Sequence, residues 1–144
     1  MLRRAHPEDL DTVLGLIAEF YAVDGHDYDD ARLRAALRPL LVDDAHGVVW
    51  LVGNCKTDDA GYAIVTWGYS LESGGRDVLL DEVYVRDQGR GVGSAVLEEV
   101  LAECRHRGLR RMFLETEVPN ERARRFYTRH GFAADDSIWM SRYF

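Results

Sequence analysis

Three glycines in alternation, Gly89, Gly91 and Gly93, stand between two stretches that ask for different backbones. Upstream, Val78 to Val85 is short, mostly apolar and rich in β-branched residues, the pattern of a buried strand. Downstream, Val92, Ala95, Val96, Val100 and Leu101 recur at helical spacing, so a helix opens just after Gly91. The chain must pass from strand to helix within a few residues. Glycine allows that sharp turn and lets a ligand approach the backbone closely. The first amides of a helix lack intrahelical partners and carry the positive end of its dipole. A cradle for phosphate oxygens is one consequence. A tight turn that merely needs small residues is the other.

The rest of the chain supplies an ordinary globular setting. Its 144 residues suit one domain spanning 1–144 with a full core. A formal net charge of −7 argues against nonspecific nucleic-acid binding and favours cationic ligands. Cys55 and Cys104 are too few for a disulfide framework and lack metal-ligand spacing, so reduced, packed thiols and no metal site are expected. The opening Met-Leu-Arg-Arg-Ala-His-Pro has no signal-peptide core, and no apolar run approaches a membrane span. A cytoplasmic protein with no membrane partner is the expectation.

In chain order, Met1 to Ala5 reads as a short edge strand. Pro7 opens a helix carrying Leu10, Val13, Leu14, Ile17, Phe20 and Tyr21, with Gly25 as its stop. Asp29 or Asp30 caps a second helix, which Pro39 bends or ends. Val48–Val52 and Tyr62–Tyr69 form an antiparallel hairpin across a polar turn, Asn54 to Gly61. After the central helix, Gly108 is a stop, Met112–Thr116 a strand, and Glu121–His130 a helix closed by Gly131. Phe132 and Ile138–Tyr143 supply a last strand pair. The expected fold is α/β (α+β): a mixed, largely antiparallel sheet of six to seven strands with about four helices on both faces.

The glycine turn has a distant companion, the string Asn120, Ala123, Phe126, Tyr127, Gly131, Phe132. Together they resemble the two signatures of the GNAT family of N-acetyltransferases. Gln88, Gly91 and Gly93 match the family's Gln/Arg-x-x-Gly-x-Gly/Ala; Arg90, Gly93 and Ala95 match it as well, two residues on. Asn120 through Phe132 match Asn-x-x-Ala-x-x-Phe-Tyr followed by Gly-Phe. The turn after Val85 is about two residues shorter than in similar sequences, through either an earlier strand end or a tighter turn.

The resemblance implies acetyl-CoA as cofactor, with its pyrophosphate on the amides of Gln88, Gly89, Arg90, Gly91, Val92, Gly93 and Ser94. It implies the pantetheine arm beside Val83, Tyr84 and Val85, with Asn120, Ala123 and Phe126 flanking it. The attacking group is then the acceptor's own amine, which must lose a proton, and a carboxylate is the natural base. Asp81 and Glu82 are adjacent, so strand alternation points them to opposite faces and either could serve. Tyr127 matches the family tyrosine that protonates the departing thiolate; packing beside Phe126 is its plainer role. Tyr21, His26, Tyr28, Glu72, Glu115 and Glu117 are candidates for the acceptor's side of the site. The acceptor is expected to be a small cationic amine or an exposed peptide amine, with no nucleic acid involved and a homodimer left open. The competing function is a non-catalytic acetyl-CoA sensor.

Overall fold

The computed structural model describes residues 1–53 and 60–144; Cys55 and most of the expected polar turn lie outside the described residues. Strand β1 (Leu2–Arg4) leads through a single 3₁₀ turn at Pro7–Asp9 into α1 (Leu10–Asp24). Pro7 suits that turn because its locked φ is already helical and its missing N–H would have no partner there. Gly25, at φ 74°, closes α1 in the left-handed conformation. Helix α2 (Asp30–Val42) begins where the Arg32 N–H donates to the Asp29 carboxylate at 3.2 Å, and it continues past Pro39 to Val42.

Strands β2 (Gly47–Val52), β3 (Gly61–Ser70) and β4 (Gly75–Val85) form an antiparallel meander with β1 at its edge. Helix α3 (Val92–His106) then crosses back, β5 (Met112–Phe113) pairs parallel to β4, and α4 (Glu121–Arg129) follows. The sheet order is β1-β2-β3-β4-β5. Alternation along β2 explains the layers. Val48, Trp50 and Val52 face α3 and α4, while Val49 and Leu51 face α1 and α2. Helix α3 adds Val96, Leu97, Val100 and Cys104 to the first core; α1 and α2 add Val13, Leu14, Ile17, Leu37 and Leu41 to the second. Each such fully buried side chain contributes about 1.5–3 kcal/mol. Burial also pushes the Cys104 thiol up to about 11, which leaves it an inert core group.

The sheet has five strands among the described residues, where six to seven were expected. The last strand pair does not form: residues 132–144 make no ladder, and Ile138 and Met140 are 90% exposed. Trp139 stacks on Phe113 with ring centroids 5.7 Å apart, so the segment reaches β5 through a side chain and not through its backbone. The expected strand Met112–Thr116 is likewise cut to two residues. A strand exists only as far as a neighbour pairs with it, and β4 leaves β5 after Leu79 and Phe113.

Candidate active site

That early parting of β4 and β5 makes the site. From Glu82 to Val85, β4 pairs with β3 on one side only. The Arg86 N–H donates to Ala60 O, so the Val85 N–H, one step back in the alternation, faces the gap where β5 would have been. A cleft of about 1250 Å³ opens there, between β4, the β5 exit, α4, the glycine turn and the α1–α2 junction.

At one end stands the glycine turn. Strand β4 runs its full expected length to Val85, so the short connection is a tight turn and not an early strand end. Gly89 and Gly91 sit at φ 90° and 77°, where a side chain would be strained, and Gly91 is the N-cap of α3. No side chain caps α3, and its first intrahelical bond runs from the Ala95 N–H to Gly91 O at 3.1 Å. The N–H groups of Val92, Gly93 and Ser94 are thus left over at the positive end of a 15-residue helix. Gly93 has ordinary φ and lies beside Phe126 and Val85. Gln88, Gly89, Gly91, Gly93 and Ser94 line the cleft; Arg90 projects outward, and Val92 packs into the core.

Along one wall, α4 presents Asn120, Ala123, Phe126 and Tyr127. Asn120 is the N-cap, accepting from the Ala123 N–H at 3.0 Å. Tyr127 holds its ring against Phe126 and Phe132, at 5.2 and 5.6 Å between centroids. Its hydroxyl has no hydrogen-bond partner among the described residues, and burial raises its pKa. Arg122, Arg125 and Arg129 also reach the cleft from α4, three cations that no motif had singled out.

The acidic pair departs from expectation. Opposite Ile64 and Val65 the register skips: Ile64 pairs with Glu82 but Val65 pairs with Leu80, leaving Asp81 as the extra residue of a bulge. Leu80 and Val83 both pack into the α3 side, so the two residues between them, Asp81 and Glu82, share the α1–α2 side. The opposite-face expectation fails because a bulge adds one residue to a period of two.

The two carboxylates have different surroundings. Tyr21 Oη donates to Glu82 Oε1 at 2.6 Å, and Tyr62 Oη donates to Glu82 Oε2 at 2.7 Å. Burial raises the Glu82 carboxyl pKa, and the two phenols, which favour its ionised form, pull it back. The same burial, with Glu82 beside them, holds both phenols well above the usual tyrosine range. Asp81 has no hydrogen-bond partner among the described residues. Its pKa is raised by desolvation against the cleft wall and then by the charge of Glu115.

Tyr21, His26, Glu115 and Glu117 line the cleft as well. His26 pairs with Asp24 at 2.8 Å. Tyr28 stands behind Tyr21 and donates to Asp30 at 2.9 Å, outside the lining. Glu72 lies in the β3–β4 turn, at the other end of β4 from the bulge, so it does not join the site. Sequence reading missed Tyr62, whose apolar neighbours mark it only as core, and gave no site role to Asp24, to Asp27 in the polar turn, or to Asp29, a candidate helix cap. Among the described residues no group of His, Cys, Asp and Glu could hold a metal ion, and no helix is long and apolar enough to cross a membrane.

No curated protein matches the chain. Solved structures do. An integron cassette protein from the mobile metagenome of Cole Harbour salt marsh is 28% identical, with a TM-score of 0.85 over 99% of this chain and 89% of its own. A candidate acetyltransferase from Arthrobacter sp. FB24 is also 28% identical, with a TM-score of 0.84 over 100% of this chain and 96% of its own. Ribosomal-protein-alanine N-acetyltransferase from Brucella melitensis biovar Abortus 2308 is 21% identical and shares the fold, with a TM-score of 0.75 over 99% of both chains. The chain matches the Acetyltransferase (GNAT) family over residues 10–132, a span holding the bulged strand, the glycine turn and Tyr127, and it belongs to that family of N-acetyltransferases.

Proposed function

We propose that the cleft takes acetyl-CoA at its glycine-turn end and a cationic primary amine at its carboxylate end, and that Asp81 is the base. The observation that carries this reading is the bulge. It sets a carboxylate with raised pKa and no partner among the described residues, and an anchored one, on the same wall beside the edge of β4 that β5 leaves open.

The residues present fit the cofactor that family members use. Leftover N–H groups of Val92, Gly93 and Ser94 suit a pyrophosphate, in the register Gln88, Gly91, Gly93, and the arginines of α4 add positive charge. The free edge of β4 at Val83–Val85 suits an extended arm, and the Val85 N–H is a donor for a carbonyl oxygen. Bound acetyl-CoA supplies a thioester carbonyl and a thiol leaving group.

An alkylammonium has a pKa of about 10.4, so at neutral pH the acceptor arrives charged and must be deprotonated before it attacks. Glu82 is held at both oxygens and cannot turn, which suits it to fix the ammonium. Asp81 is free to accept the proton, directly or through water. A raised carboxyl pKa lowers the cost of that transfer. Tyr127 offers its hydroxyl hydrogen to the departing sulfur. With Asp24, Asp27, Asp29, Glu115 and Glu117 around the acceptor end, a small cationic molecule fits better than a neutral one, and an exposed peptide amine is the alternative acceptor.

Asp81→Asn keeps the shape and removes the base. At saturating cationic amine, wild-type turnover should level off once Asp81 is ionised. The variant should keep climbing about tenfold per pH unit toward the amine's own pKa of about 10.4. An Asp81→Asn profile that levels off like the wild type would take the base role from Asp81.

A further inference from the structure

Behind the glycine turn stands a group that the reaction as described does not use. His130, just past the end of α4, has 12% of its side chain exposed and does not line the cleft. Its Nε2 lies 3.0 Å from Ser94 Oγ, and its Nδ1 lies 2.7 Å from Glu98 Oε1. Phe126 packs against the ring at 4.9 Å between centroids. Ser94 does line the cleft, in the first turn of α3 beside the leftover N–H groups. The result is a chain of three polar groups, Glu98 to His130 to Ser94, that ends at the phosphate cradle.

Counting hydrogens along that chain limits its states. An ionised carboxylate only accepts, so the Glu98 contact requires a proton on Nδ1. If the ring is neutral, Nε2 is then an acceptor, and the Ser94 hydroxyl must spend its single hydrogen on the imidazole. Only lone pairs would face the cradle, and lone pairs repel a phosphate oxygen. If the ring is protonated, Nε2–H donates to Ser94 Oγ. The hydroxyl hydrogen is released toward the cleft, backed by a positive charge. A phosphate therefore binds better to the protonated ring. The imidazole has charged neighbours on both helices. Glu98 faces it from α3, and Arg129 of its own helix lies across Phe126, 5.9 Å from that ring.

We propose that His130 is a positioning residue for cofactor binding: held by Glu98, it turns the Ser94 hydroxyl into a donor to the pyrophosphate, and coenzyme A binding takes up a proton there. The inference rests on reading the glycine turn as the pyrophosphate cradle. Since the ligand prefers the protonated ring, affinity falls as pH rises through the range of about 5 to 8 where an imidazole changes charge.

Calorimetry of coenzyme A binding, in buffers of different ionisation enthalpy and across that pH range, tests this. Coenzyme A carries a phosphate monoester that titrates at about pH 6 in every case, so the readout is the difference between proteins. Wild type should take up more protons than either His130→Gln or Ser94→Ala, and its affinity should fall more steeply with pH. Ser94→Ala, which loses one charge-assisted hydrogen bond, should bind about ten- to a hundredfold more weakly at low pH. Pantetheine, which has no phosphates, should bind all three proteins alike. Equal proton uptake in wild type and both variants, or unchanged affinity in Ser94→Ala, overturns the role of His130 while leaving the cradle standing. Failure of wild type to bind coenzyme A at all overturns the cradle and the inference together.

Discussion

Tyr127 has two roles that a single atom separates. Its ring fills space between Phe126 and Phe132, which any aromatic would do, while the residue lines the cleft and its hydroxyl has no partner among the described residues. An ordinary thiol titrates at about 8.5 and an ordinary phenol at about 10. Burial raises this phenol further, so full transfer of its proton to a thiolate is uphill. On the proposed reading the hydroxyl therefore acts first as a hydrogen-bond donor that stabilises charge as it develops on sulfur. Tyr127→Phe keeps the ring and should keep the melting temperature and the affinity for acetyl-CoA. Turnover should fall about a hundredfold or more, the usual size of a positioned donor or acid. A stable Phe variant with wild-type turnover would leave Tyr127 as packing alone.

Strand β4 and its exit turn are where local pattern and tertiary pairing part company. The two glycines of the turn carry different loads. Gly91 is left-handed, so Gly91→Ala should cost about 1–2 kcal/mol, seen as a melting temperature lower by a few degrees. Gly93 has ordinary φ, and a Cβ there would meet Phe126 and Val85 at 3.8 Å, ordinary contact. Gly93→Asp should thus fold, yet lose coenzyme A affinity by well over tenfold by setting a carboxylate against the phosphates; unchanged affinity in a folded variant would refute the cradle. The positions of these glycines, like the helix stops at Gly25, Gly108 and Gly131, could be read from sequence because each is a local event: a left-handed residue ending or starting a periodic stretch. The bulge at Asp81 could not. Nothing in Leu-Leu-Asp-Glu-Val announces it, since it exists only in the register between β3 and β4. Tyr62 was hidden for the same reason: its reach to Glu82 passes from β3 to β4. The Ser94–His130 contact spans 36 positions and joins two helices that each looked complete without it. The last strand pair was the reverse case, an apolar run at Ile138–Met140 that found no ladder.

At the scale of the whole molecule the cleft is lined by cations at its glycine-turn end and mostly by carboxylates at the other. Helix α4 and the start of α3 bring Arg122, Arg125, Arg129 and unpaired N–H groups to one end. The bulged strand, the β5 exit and the α1–α2 junction bring Asp81, Glu82, Glu115, Glu117 and Asp24, Asp27 and Asp29 to the other, with Arg32 among them beside Tyr21. A net charge of −7 would by itself draw cations anywhere; on the proposed reading this arrangement draws them to one place. The measurement that bears most directly on the account is acetyl-CoA-dependent thiol release, with primary amines of different charge, at low and high salt. The expected result is the highest kcat/KM for amines that carry a second cationic group, falling as salt screens the cleft. Preference for neutral or anionic amines, or rates indifferent to salt, would contradict it.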